Sequence, residues 1–430
     1  MIGSPRGWVS LPRGLAPLGY WNFALYFCGF AASNTGRWIE LTGALWLTYE
    51  LTQSPVLLGF LGVARAVPAI ILSPFAGVVA DRVDKRRLLF TTQAIGIVIS
   101  FCLGVLVALG LIQVWHIYLG VALQASITAF DASARQTLFP QLIPRDQLAA
   151  AVTLNITAGR LAKFVGPIIG GFGIAILGEA SPFLLNSASF AVLMATLVLM
   201  RDVAPSAWTA GLSFGRELTE GMRYILNAPV FAGLFKMEIF FGVLEMNPVM
   251  IAIVAREVLD AGPEEIGLLL AAPALGSLIG ILWLLVMGQA KRLGRFSLCC
   301  TLVYSAGLVA FAISYSFVAA FIALAIIGIL DALVTITRNS VLQLAAPEGM
   351  RGRIMANMGM ITRGVSPLAE TQSGILAAVL GPPAAVICAA SALALAVGLT
   401  ARLNPVLWNF VMDDASLRRG GPGKTPADPL

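Results

Sequence analysis

Apolar runs of about 20 residues recur from one end of the chain to the other, each long enough to cross the hydrocarbon core of a bilayer. They fall near 21–49, 55–80, 88–110, 114–138, 147–177, 183–200, 228–255, 266–290, 297–315, 317–345, 352–380 and 384–402. Only 12% of residues are charged, against about 25% in soluble domains, and the mean hydropathy is +0.87. Stretches such as Phe183 to Met200 are apolar on every side, which fits helices and not the alternating strands of a membrane barrel. The fold class that follows is an all-α membrane protein of about twelve transmembrane helices. The first run is too long for a signal-peptide core and no small-residue cleavage site follows it, so it is expected to stay in the membrane.

Basic residues orient these spans. With residue 1 placed in the cytoplasm, the loops and tails on that side hold 19 Lys and Arg, while the opposite loops hold one, Arg256. Such asymmetry is the positive-inside signal and puts both termini in the cytoplasm. The net charge of +6 therefore reports orientation and not nucleic-acid binding. Cys28, Cys102, Cys299, Cys300 and Cys388 fall inside spans with no CxxC spacing and read as small apolar fillers.

The chain divides into residues 1–20, a six-helix bundle over 21–200, a linker over 201–227, a second bundle over 228–402, and a tail over 403–430 rich in Pro, Gly and charge that is expected to be disordered. Within the linker, Leu212 to Leu226 reads as an amphipathic helix lying along the membrane surface. Arg135, Pro144 and Arg160 recur as Arg338, Pro347 and Arg363, each 203 residues later. Three matches at one offset indicate an internal repeat.

The loop after the second span reads Gly77-Val-Val-Ala-Asp81-Arg82-Val-Asp-Lys85-Arg86, and Lys291-Arg292-Leu-Gly-Arg295 stands in the corresponding place of the second half without the aspartate. The first resembles the GxxxDRxxRR pattern of the major facilitator superfamily. Further short matches are Asn34-Thr-Gly36-Arg37-Trp38, Ala134-Arg135-Gln136 and Arg351-Gly352-Arg353. The resemblance runs from about residue 20 to 402 and is closest to prokaryotic drug and siderophore exporters of the enterobactin-exporter and macrolide-efflux type. It implies two pseudo-symmetric bundles working by alternating access. Ala162-Lys-Phe-Val-Gly166-Pro167-Ile-Ile-Gly170-Gly171 resembles the GxxxGPxxGG motif of antiporters, with alanine for the first glycine, and favours export. Physically, such glycines permit close helix approach and Pro167 removes one helical hydrogen bond.

A charge at the bilayer centre costs about 3 kcal/mol on insertion scales, so each needs a reason. Within the spans stand Arg37, Arg65, Arg135, Arg160, Lys163, Lys236, Arg338 and Arg363 against Glu40, Asp131, Glu238, Glu245, Asp331 and Glu370. Spans 1, 4, 7 and 10 hold five of the six acids, while spans 3, 6 and 9 hold no charge and span 12 only Arg402 at its last position. The resemblance implies that the first set lines a central cavity and the second faces lipid or supports it.

Arg37 and Glu40, one turn apart, are expected to form a membrane-embedded pair. Glu245 takes the place of Glu40 in the second half at an offset of 205, with Glu238 two turns before it. Glu40, Glu245 and Asp331 are the candidates for proton coupling or substrate binding, with Glu238, Arg160, Lys163 and Arg363 as further cavity residues. The resembled family often has an acid after the glycine of the first helix where Arg37 stands; if that acid couples protons in relatives, Glu40 takes over here or the mechanism differs. The resemblance also implies that Asp131 and Arg135 partner the Asp81 and Arg82 loop as a gate latch.

Gly423-Lys424-Thr425 looks like the end of a phosphate loop, but Arg418 sits where the first glycine belongs and no strand precedes it. His116 is the single histidine, which leaves no triad or histidine metal site. No cofactor and no catalytic constellation is expected. The reading is a secondary transporter in a bacterial inner membrane, proton-coupled, exporting small amphipathic molecules and working as a monomer. An uptake system or facilitator on the same fold, and a non-transporting receptor or assembly component, are the rival readings.

Overall fold

The computed structural model describes residues 12, 14–201, 214–227, 229–288, 292–347, 350–403 and 408, and the structural statements below concern those. They form α1 (Trp21–Thr52), α2 (Pro55–Arg82), α3 (Lys85–Ala108), α4 (Val114–Leu138), α5 (Leu148–Leu177), α6 (Ser181–Leu199), α7 (Phe214–Asn227), α8 (Pro229–Leu244), α9 (Pro248–Glu257), α10 (Pro263–Met287), α11 (Leu293–Ala312), α12 (Phe317–Ala345), α13 (Arg351–Leu380) and α14 (Pro382–Leu403). No strand occurs among the described residues.

Ten stretches are long and apolar enough to cross a membrane. The two expected spans outside that set lie on α1 and α13, which carry Arg37 with Glu40 and Arg363 with Glu370. The chain is a multi-pass membrane protein. The amphipathic stretch of the linker becomes α7, and its Ile225 is buried with Phe231, Leu234, Leu293, Val341 and Leu342.

One expectation fails. The seventh span, expected over 228–255 as one helix, is two helices interrupted at Glu245–Asn247. Pro248 opens α9 without an N–H to give to the preceding turn, and the Asn247 side chain accepts from Met250 N at 3.0 Å, so a fresh helix is capped where the old one stops. Similar local chemistry sets other boundaries. Asp84 caps α3 by accepting from Arg87 N at 2.8 Å, and Gln53 takes a left-handed conformation (φ 48°) to end α1.

The described residues form two compact units. The first comprises Met1–Thr209 with Asn247–Ala274 and Glu370–Pro382; the second comprises Ala210–Met246, Leu275–Ala369 and Pro383–Leu430. In the first unit α6 lies against a ridge of Gly29, Gly36 and Gly43, spaced seven apart on α1. A Cβ at these positions would strike Leu193, Ser189 and Pro182 respectively. Small residues let helices approach where lipid offers no hydrophobic driving force. In the second unit Gly276 and Gly280 of α10 serve the same purpose against Ala325 and Ile329 of α12.

Candidate functional site

The α1–α6 ridge decides where Glu40 points. Its carboxylate is 6% exposed and accepts hydrogen bonds from Ser100 Oγ of α3 and Asn186 Nδ2 of α6. Gln124 of α4 donates to Ser100 Oγ at 2.8 Å, so four helices meet in one polar network inside an apolar bundle. Among the described residues, both hydrogen-bond donors to Glu40 are neutral.

The expected Arg37–Glu40 pair is absent. Arg37 Nη2 donates instead to Asn34 Oδ1 at 2.7 Å, one turn back on α1. Residues three apart leave a helix about 60° from each other, and here the acid turns into the α3–α6 packing while the arginine bonds along its own helix. Asn186 and Ser100 carry no charge, so the charged residues of the spans do not point to them; uncharged polar residues in otherwise apolar spans are the available signal.

Asp131 and Arg135 also depart from expectation. Arg135 Nε donates to Asp131 Oδ2 at 2.6 Å across one turn of α4, Gln93 Nε2 donates to Asp131 Oδ1 at 2.9 Å, and the guanidinium lies 5.2 Å from the Phe30 ring centre. Both residues are buried, whereas Arg82 is exposed and makes no ion pair with Asp131; the Asp81 side chain lies outside the described residues. A helical i,i+4 pair satisfies the two charges without help from the loop.

The rest of that loop has identifiable local work. Arg86 donates from Nε to Leu197 O at 2.8 Å and from Nη2 to Val198 O at 3.0 Å, satisfying carbonyls that the end of α6 leaves open. Lys85 is 8% exposed. A Cβ on Gly77 would meet nothing within 4 Å.

The α5 motif packs on two neighbours. Cβ atoms on Gly166 and Gly170 would strike Trp38 and Thr42 of α1, while one on Gly171 would strike the α10 backbone at Pro263 and Gly267. Pro167 is buried inside α5. Lys163 is exposed, its Nζ 5.4 Å from the Trp38 ring centre, and Arg160 is half-buried.

In the second unit Glu245 sits at the end of α8, in the helix break, where its Oε1 accepts from Ser366 Oγ at 2.9 Å. The next residue, Met246, donates its N–H to Tyr304 Oη at 2.9 Å. Thr335 Oγ1 donates to Asp331 Oδ1 at 3.4 Å, one turn away on α12. Glu238 forms a buried ion pair with Arg338. The side chain of Arg363 lies outside the described residues.

A carboxylate buried in a polar network inside a bundle, and a span interrupted beside another carboxylate, are arrangements found in membrane transporters. Residues 13–417 match the family model described as transmembrane secretion effector. The chain belongs to this family of major facilitator transporters.

Among individual relatives, the chain is 25% identical to the multidrug efflux pump Tap of Mycolicibacterium fortuitum over 82% of this chain and 88% of Tap. It is 27% identical to the enterobactin exporter EntS of Shigella flexneri over 65% of this chain and 66% of EntS. It is 26% identical to the MFS-type transporter YfiS of Bacillus subtilis over 57% of this chain and 60% of YfiS. A crystal structure of a peptide transporter POT variant in complex with alafosfalin shares the fold, with a TM-score of 0.73 at 13% identity over 95% of this chain and 98% of that one. The chain is thus a membrane transporter by family, and its family is not one of enzymes.

Proposed function

We propose that this transporter exports small amphipathic molecules of the drug or siderophore kind across a bacterial inner membrane, driven by protons moving inward. Relatives named as a multidrug efflux pump and an enterobactin exporter support the direction and the cargo class. The basic residues on the loops favour cytoplasmic termini. Drive by an ion gradient fits a chain whose only phosphate-loop lookalike, Gly423-Lys424-Thr425, is incomplete.

Glu40 is the observation that carries proton coupling. A carboxylate held in a lipid-embedded bundle by neutral donors alone is stable there as the uncharged acid and costly as the anion. A proton gained or lost at this position is therefore strongly coupled to its surroundings. Glu245, beside the break in the seventh span, is the second candidate and stands closer to backbone groups that no longer belong to a continuous helix. The transporter works as a monomer, with Asp331 and Glu245 near the cargo route through the second bundle and with Asp81, Arg82, Asp131 and Arg135 controlling its cytoplasmic closure.

The deciding experiment follows internal pH in proteoliposomes of the purified protein while dyes, antibiotics and siderophores are added. Cargo-dependent proton movement is expected, and Glu40→Gln abolishes it. Cargo that equilibrates with no proton movement would sink proton coupling and leave a facilitator or another ion.

A further inference from the structure

Glu370, buried like Glu40, differs from it in having a cation as its partner. Arg65 of α2 pairs with Glu370 of α13 through Nη2 and Oε1. The Glu370 side chain is 5% exposed and that of Arg65 26%. The pair is incomplete: Glu370 Oε2 and Arg65 Nε are both buried with no hydrogen-bond partner. A bidentate pair would use both oxygens and hold the helices firmly. A one-point pair in a water-poor site recovers less of what desolvating two charges costs, which suits a contact made and broken repeatedly.

Packing around the pair is equally specific. The two helices cross with Gly59 against Gly374. A Cβ on Gly59 would lie 3.1 Å from both Glu370 O and Gly374 Cα, and one on Gly374 would lie 2.8 Å from Gly59 Cα. Thr371 Oγ1 donates to Gly59 O at 2.9 Å, and Asn247 Nδ2 donates to Ser373 Oγ at 2.7 Å. Arg65 stands ten residues from the Pro55 start of α2 and Glu370 ten from the Leu380 end of α13, about 15 Å along each helix. Among the described residues, Arg65 is the only charged group acting on the Glu370 carboxylate. The neighbouring groups from α2, α9 and α13 are the neutral Gly59, Asn247, Thr371 and Ser373.

We infer that Glu370 is a proton-binding site at which a proton and the Arg65 guanidinium compete, so that closing the α2–α13 crossing expels one proton and protonation opens it. The charge balance is complete: with the crossing closed the pair is carboxylate and guanidinium, and with it open the carboxylate is free to take a proton from water. The crossing is therefore held at high pH and released as the pH falls. This deepens the proton-coupled reading above by adding a carboxylate whose proton is tied to one helix crossing and not to cargo.

The test is thiol labelling of the full-length protein in detergent, with the five native cysteines replaced by serine and Thr371→Cys as reporter beneath the crossing. Labelling by a water-soluble maleimide-type probe, corrected for its own pH-dependent rate on a small thiol, is expected to rise about tenfold from pH 8 to pH 5.5, the factor that about 1.4 kcal/mol gives. Glu370→Gln is expected to label fast at both pH values, and Glu370→Asp to keep the pH dependence. Equal labelling of the reporter at the two pH values would overturn the proposal with no second substitution needed, as would a pH dependence that survives Glu370→Gln. No cargo or gradient is used, so the result stands apart from proton movement in vesicles.

Discussion

Arg135 and Arg338 hold the same place in the two halves of the chain, 203 residues apart, and both are buried. Arg135 pairs with Asp131, one turn back on its own helix, while Arg338 pairs with Glu238 on α8. At the position matching Asp131 the second half has Val334, and Ser33 stands 205 residues before Glu238. The repeat kept the cation and moved its anion to another helix. The first pair leaves α4 self-sufficient; the second ties α12 to α8, so the same arginine serves one helix in one unit and joins two in the other.

The largest break in this comparison is expected at Arg338→Ala. Removing one partner of a buried pair costs about 3–5 kcal/mol, read as a large fall in apparent melting temperature. Glu238→Ser leaves Arg338 without its acid and is expected to cost a similar amount; adding Val334→Asp recreates the α4 arrangement and is expected to recover most of the Glu238→Ser loss. No recovery would show that the tie between α8 and α12, and not charge neutralisation, is what matters.

Arg135→Ala is expected to be milder, about 2 kcal/mol, because Gln93 still donates to Asp131. A loss as large as that of Arg338→Ala would contradict the self-contained reading of the α4 pair.

The smallest effects concern the basic loops. Arg86→Ala removes two hydrogen bonds to the last carbonyls of α6 and is expected to cost about 1 kcal/mol. Among the described residues of its counterpart stretch, Arg295 lies above the Trp408 ring at 5.4 Å, an exposed cation–π contact worth about 0.5 kcal/mol. Melting curves in which Arg295→Ala costs more than Arg86→Ala would reverse this ranking.

The span pattern was legible because it depends on a local property. An apolar run of the right length is a helix wherever it inserts, so the α4, α5 and α12 ranges fall within a few residues of those expected. The break in the seventh span was also legible in principle, since Asn247-Pro248 is a capping residue followed by a proline at the first helical turn. The length of the apolar run concealed it. Which residues carry buried charge was visible too, because each charge in a lipid-soluble segment stands out against its neighbours.

The sequence by itself therefore determined the solvent, the extent of most spans, and the short list of carboxylates and arginines that the membrane tolerates only for a reason. Tertiary structure decided the pairings: Glu40 with Ser100 and Asn186, Asp131 with Arg135, Glu238 with Arg338, and Glu370 with Arg65. Each residue turns its side chain by about 100° along a helix, and the Gly29–Gly36–Gly43 and Gly59–Gly374 approaches fix how far each helix is rotated and how near its neighbour lies. A window of sequence holds the side chain but not that rotation, and the rotation chooses the partner.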